Sequence, residues 1–336
     1  MAARARCVAA GLLGPGPKPR LLAIAVMALW ASCYPLIALA LDDAPHLTFA
    51  ALRALIGGAA LMLVALATGA SWPKQRIEWG WIVLAGVGMT GIGYFGMFHG
   101  AEFVAPGLAT VISNTQPLIA GLLAAAFLAE RAGLMGWTGL MIGFSGIVVI
   151  ATPNFSAGSS STSSVGFGYV LLATLGVAAG NIAIRQLGLR VAPVMAMGLQ
   201  LIIGAMLLAI LAMALEDPTQ VNWSGRFLVS LLGLALPGTA LAFWMWQITL
   251  AHLSVSQAVS FSFVVPIIGL TVGWAYFGET ITTITIAGAV ISVVGVYLAS
   301  NGRSDTNEVS RRGQKHAFRA QPSSKPPRHR RASPDR

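Results

Sequence analysis

The chain has 336 residues, 56% hydrophobic and only 10% charged, with a formal net charge of +10 and a mean hydropathy of +0.75. A soluble domain of that composition would expose large apolar patches, so the chain is read as an all-α integral membrane protein. Segment 301–336 alone supplies +7, from ten basic and three acidic residues, and its Arg, Ser, Pro and Lys content marks a solvated disordered tail near anionic lipid, with no nucleic-acid partner expected.

Residues 1–20 carry Arg4, Arg6, Lys18 and Arg20. They lack a signal-peptide core and cleavage site, and Gly14 to Pro19 breaks any helix there, so a cytoplasmic tail is expected. Apolar runs long enough at ~1.5 Å per residue to cross a ~30 Å hydrocarbon core follow. They lie at 21–41, 47–69, 79–101, 106–128 and 134–152, then, after a linker at 153–164, at 165–187, 193–215, 227–250, 257–278 and 281–299. Ten spans is the simplest count, and the short connections at 102–105 and 251–256 leave nine or eleven open. With ten, 19 of the 21 lysines and arginines fall on one side, Lys74, Arg76, Arg131, Arg185 and Arg190 among them. That side is read as the cytoplasm, with both termini on it and the chain in the inner membrane. Arg226 and Arg53 are the exceptions.

The chain also contains a faint copy of itself. Pro117, Glu130, Gly139 and Gly146 are answered by Pro266, Glu279, Gly288 and Gly295 at a constant offset of 149, and Thr90/Thr239, Ala109/Ala258, Ser113/Ser262 and Ile142/Ile291 fall on the same line. Each copy, at 21–152 and 165–300, holds five spans, so the second enters the bilayer from the opposite side. Two inverted five-helix repeats around a central site are the sequence mark of a secondary transporter.

Polar residues at membrane depth supply the candidate site. Pro117 and Pro266 are placed near the middle of equivalent helices, where a proline frees a carbonyl that only protein or a water-lined cavity can satisfy. They are read as kinks that serve as hinges. Ser113, Asn114, Thr115 and Gln116 precede Pro117, and some of them must face a cavity or a neighbouring helix; Asn114 and Gln116 lie about 200° apart, so they cannot share one narrow site. The aligned residues Phe263 and Val265 are apolar, and a polar wall facing an apolar one suits a small amphipathic solute.

Trp30 and Tyr34 at i, i+4 and Trp244 and Gln247 at i, i+3 each present one face. Each pair lines a pocket or packs, whereas Trp72, Trp79, Trp81 and Trp246 read as interfacial belt residues. Tyr94 and Asn181 sit at mid-span depth, and Asn181 aligns with Ser32. Arg53, about 9 Å from the outer end, either snorkels to the interface or faces a cavity and attracts an anionic group such as a carboxylate. Glu130 and Glu279 are expected to fix the tight turns into the last helix of each repeat, and Glu102 and His99 to sit near the outer mouth.

Several chemistries lack their residues. Cys7 and Cys33 offer no disulfide framework or metal cluster. No phosphate-binding glycine loop is present, so neither ATP hydrolysis nor a cofactor is expected. Asp42, Asp43 and five scattered histidines do not form an enzyme site. A small-molecule substrate and membrane lipid are the expected partners, with a homodimer left open, as is the choice among uniport, exchange and proton-coupled export.

Thr115-Gln116-Pro117-Leu118-Ile119 through Ala129-Glu130-Arg131, and Val265-Pro266-Ile267-Ile268 through Gly278-Glu279-Thr280, carry a family pattern. With Leu29-Trp30-Ala31-Ser32 and Ala51-Leu52-Arg53, the chain resembles the EamA family of the drug/metabolite transporter superfamily over about residues 21–300. That resemblance implies ten helices and export of amino acids or related small metabolites, with sugar, nucleoside or drug carriage as the alternative.

Overall fold

Backbone polar groups facing hydrocarbon must be satisfied within their own segment, which leaves long apolar sequences the helix as their stable form. The computed structural model describes residues 19–100, 103, 106–130, 132–156, 164–269, 271 and 282–302, and its regular elements are all helical among these residues. Glu102, Arg131, Glu279 and the tails before residue 19 and after residue 302 lie outside the described residues, as does the side chain of Tyr34.

In chain order, α1 (Pro19–Ala31) and α2 (Cys33–Ala40) meet at Ser32, and α3 (His46–Ala67) follows. Helices α4 (Arg76–Ala85) and α5 (Gly93–Gly100) are joined by a π-helical turn, Gly86–Ile92. Next come α6 (Pro106–Ser113), α7 (Gln116–Phe127), α8 (Leu134–Ser156), α9 (Ser164–Leu187) and α10 (Pro193–Leu215). A second π-helical turn, Leu236–Leu241, joins α11 (Gly225–Ala235) to α12 (Ala242–His252). The chain continues through α13 (Val255–Ser260), a 3₁₀ turn Phe261–Val264 and helical residues 265–269, and the described helices close with α14 (Thr283–Asn301).

Among the described residues, eight helices are long and apolar enough to cross a membrane, and Val111–Phe127 and Val255–Gly269 are shorter apolar helices. The shortening has a local cause. The fourth segment is interrupted at Asn114 and Thr115, and the ninth tightens into its 3₁₀ turn at the matching place. Pro117 therefore lies in the first turn of α7, not mid-helix as expected, and there its missing N–H removes no hydrogen bond. Pro266 likewise is the second residue after the 3₁₀ turn. The interruption precedes each proline.

Small residues set how closely the helices approach. A β-carbon added to Gly146 would lie 2.6 Å from the Gly288 oxygen, and one on Gly288 2.8 Å from the Gly146 oxygen. One on Gly139 would collide with the Ala299 backbone and come within 2.8 Å of the Gly295 oxygen. Helices α8 and α14 thus run antiparallel, backbone against backbone. Gly58 faces Ile202 at 2.9 Å and Gly198 faces Met62 at 3.0 Å by the same measure, so α3 and α10 are antiparallel too. Elsewhere in the bundle, α9 packs on α4, α5 and their π turn, and α12 packs on α1.

Polar clasps tie each end of the bundle. At one end Arg20 Nη1 donates to Asn301 Oδ1 (2.9 Å), and Gln257 Nε2 donates to the Ser300 and Gly302 oxygens (3.2 and 2.9 Å). At the other, Asp43, buried at 4% exposure, accepts from Asn222, Ser224 and Arg226 at 3.0–3.1 Å.

Candidate functional site

The two π turns are the most closely matched features of the interior. Gly57 on α3 faces the second turn, where a β-carbon would stand 2.8 Å from the Ala235 oxygen and 3.1 Å from Thr239 Cγ2. Gly204 on α10 faces the first, where a β-carbon would collide with Thr90 and stand 2.7 Å from the Gly86 oxygen. Four residues before each glycine, one helical turn away, a polar side chain reaches the same threonine. Arg53 Nε donates to Thr239 Oγ1 at 2.8 Å, and Thr90 Oγ1 donates to Gln200 Oε1 at 2.9 Å. A π turn widens the helix locally and frees backbone groups; at the second joint the Thr239 hydroxyl donates to the Leu234 oxygen at 2.8 Å.

Arg53 is 6% exposed and turned inward, so it does not snorkel to the interface. Its Cζ lies 4.8 Å from the Tyr94 ring centroid, a cation–π placement. Nη2 is 4.0 Å from Cys33 Sγ, while that thiol donates to the Leu29 oxygen at 3.3 Å. The buried Tyr94 hydroxyl lies close to Arg53 and Thr239 but makes no hydrogen bond of good geometry with either. Four segments of the chain thus converge on one guanidinium, and no carboxylate pairs with it among the described residues.

A second cluster is aromatic. Trp246 is 1% exposed and its Nε1 donates to Asn181 Oδ1 at 2.7 Å, with Asn181 equally buried. This corrects the belt reading of Trp246, because an indole N–H with a dedicated internal acceptor is satisfied in the core. Trp30 packs on Trp246 and Phe243 at centroid distances of 5.3 and 5.9 Å, and Trp244 is partly buried against the wider core. Gln247 points elsewhere. Its Nε2 donates to the Gly188 oxygen at 2.7 Å, closing the left-handed turn after α9 where Gly188 has φ +56°.

Asn114 lies in the interruption of the fourth segment and Gln116 begins the helix after it, and both are partly buried. Thr115 between them turns its hydroxyl back to the Ile112 oxygen at 2.6 Å. Trp72 and Trp79 are exposed and stacked 6.4 Å apart.

Glu130 does not serve the turn into α8. It is 4% exposed, pairs with Arg185 at 2.6 Å and accepts the Val255 N–H at 2.9 Å, the start of α13. Arg185 also donates to the Leu250 and Ala251 oxygens at 2.7 and 3.2 Å. A carboxylate on a helix N-terminus and a guanidinium on a helix C-terminus each oppose the local backbone dipole.

At the opposite end a cavity of about 300 Å³ is lined by Pro45, His46, His99, Glu216 and Asp217 among others. Glu216 accepts the Leu47 and Thr48 N–H groups at 2.8 and 2.9 Å and meets His46 Nδ1 at 3.3 Å; His46 Nε2 lies 3.3 Å from His99 Nδ1. Asp217 is held below the usual carboxylate range by the Thr219 hydroxyl and amide.

Sequence reasoning missed Gln200, Cys33, His46 and Glu216 as members of these clusters. Thr90 and Thr239 were visible at the offset of 149, but Arg53 and Gln200 stand at 147, so a gapless alignment does not pair them.

A polytopic helical bundle with polar joints buried between its crossings is the architecture of a membrane transporter. The chain belongs to the EamA-like transporter family, whose model matches residues 18–152 and again 164–301. It is 27% identical over 288 residues to the uncharacterized transporter YvbV of Bacillus subtilis, covering 85% of this chain and 92% of that one. It is also 27% identical to a probable amino-acid metabolite efflux pump of Salmonella typhimurium, covering 84% and 94%. A solved crystal structure shares the fold at a TM-score of 0.73 and 20% identity, over 84% of this chain and 98% of the other.

Proposed function

We propose that the chain is an alternating-access exporter of small amphipathic metabolites, amino acids or their relatives, built as ten crossings in two inverted halves of the inner membrane. The observation that carries this reading is the duplicated joint: Gly57 and Arg53 on Thr239, and Gly204 and Gln200 on Thr90. Helices equivalent by sequence, α8 and α14, meet antiparallel, as inverted copies must. Two matched joints in opposed orientation give the bundle two related conformations, one open to each side. Cytoplasmic termini follow from the 19 basic residues on one side.

The substrate would lie between the joints and the aromatic cluster, touched by Trp30, Tyr34, Asn181 and Trp244 and by Asn114 and Gln116 at the interrupted helix. The Salmonella relative's name, a probable amino-acid metabolite efflux pump, favours that substrate class over nucleosides, sugars or drugs. A panel of intracellular and released metabolites, compared between cells with and without the chain, tests the reading. Enhanced release of one or more amino-acid-like solutes is expected. Release unchanged across the panel, with the protein present in the membrane, contradicts it.

A further inference from the structure

We propose that Arg53, with Tyr94, forms a binding site for a single carboxylate, and that its charge is there for the ligand and not for the fold. The second joint supplies an internal control. Gln200 meets Thr90 at the position where Arg53 meets Thr239, beside an equivalent glycine and an equivalent π turn, though with the bond reversed: Gln200 accepts from Thr90 whereas Arg53 donates to Thr239. A neutral side chain therefore closes this joint. At Arg53 the protein instead buries a guanidinium at membrane depth, with no carboxylate beside it among the described residues, at a large desolvation cost.

The surroundings of that guanidinium are rich in donors and poor in acceptors. Nε is spent on Thr239, whose own proton goes to the Leu234 oxygen. Nη2 has the Cys33 sulfur at 4.0 Å, and the guanidinium edge approaches the Tyr94 oxygen without a hydrogen bond of good geometry. The Tyr94 hydroxyl, fully buried, is a further donor without an acceptor. The outer edge of a guanidinium matches the two oxygens of a carboxylate, and a third bond from Tyr94 completes an acceptor-only ligand. One cation with no second lysine or arginine in the cluster fits a monoanion. Arg53 lies seven residues along α3 from His46, about 10 Å along the helix from the cavity at that end.

The use of the site in export rests on the transporter reading; its binding chemistry does not. The test uses the full chain in lipid nanodiscs, with calorimetry and thermal unfolding against sodium acetate, benzoate, L-leucine and L-phenylalanine, each beside its primary amide. At least one carboxylate is expected to bind and raise Tm where its amide does not. Arg53→Gln should keep the ligand-free Tm within a few degrees and lose that binding by about tenfold or more, and Tyr94→Phe should lose several-fold. Carboxylate binding that survives Arg53→Gln, or no carboxylate-specific binding in the panel, overturns the site. So does an Arg53→Gln chain that fails to fold while Arg53→Lys folds, since the charge would then be structural. If Arg53-dependent binding is found but cells release no metabolite, the site stands and the export reading falls.

Discussion

Among single residues, Glu130 and Arg185 tie three helices together. The pair joins the end of the fourth segment to α9, caps α13 and holds the last carbonyls of α12. Arg185→Ala leaves the 4%-exposed Glu130 carboxylate without its cation and should cost about 2–4 kcal/mol, seen as a lower Tm in purified protein. An unchanged Tm would reduce the pair to a surface contact. The sequence showed Glu130 as a repeated residue but not its partner, because the two meet across 55 residues and no periodicity links them. Arg53 was legible as an anomaly, a charge inside an apolar run. What it touches was not, since Thr239 reaches it only through the packing of a distant helix.

At the level of elements, the apolar runs located the helices well, and their interruptions poorly. A π turn such as Gly86–Ile92 leaves no mark in hydropathy, for glycine and threonine disturb neither the length nor the greasiness of a span. Only the repeat of Thr90 at Thr239 hinted that something there mattered. Glycine contacts are sharper predictors. Gly146→Val would force a side chain into the Ser292 and Gly288 backbone, whereas Gly80 and Gly168 have nothing within 4 Å of an added β-carbon. The first change should abolish a monodisperse folded fraction in size-exclusion chromatography, and Gly80→Ala and Gly168→Ala should leave it intact.

The interrupted helices alter what the prolines are expected to do. Because Pro117 begins a helix and does not kink one, Pro117→Ala should change stability by less than about 1 kcal/mol. If the interruption is the hinge, Pro117→Ala and Pro266→Ala slow turnover and shift the accessibility of cavity cysteines in opposite directions. Equal shifts, or none with export unchanged, assign the hinge to the π joints instead.

For the molecule as a whole, inversion of the halves is the claim from which alternating access follows. Lys74 and Trp223 stand at the repeat offset of 149, just ahead of α4 and α11, and both are exposed. In a Cys7→Ser, Cys33→Ala background, Lys74→Cys and Trp223→Cys offer one thiol each in otherwise matched positions. Inverted halves predict that a membrane-impermeant maleimide added to intact cells labels Trp223→Cys and leaves Lys74→Cys unlabelled until the membrane is opened. Labelling of both thiols from the same side would contradict the inverted repeat and the transport cycle built on it.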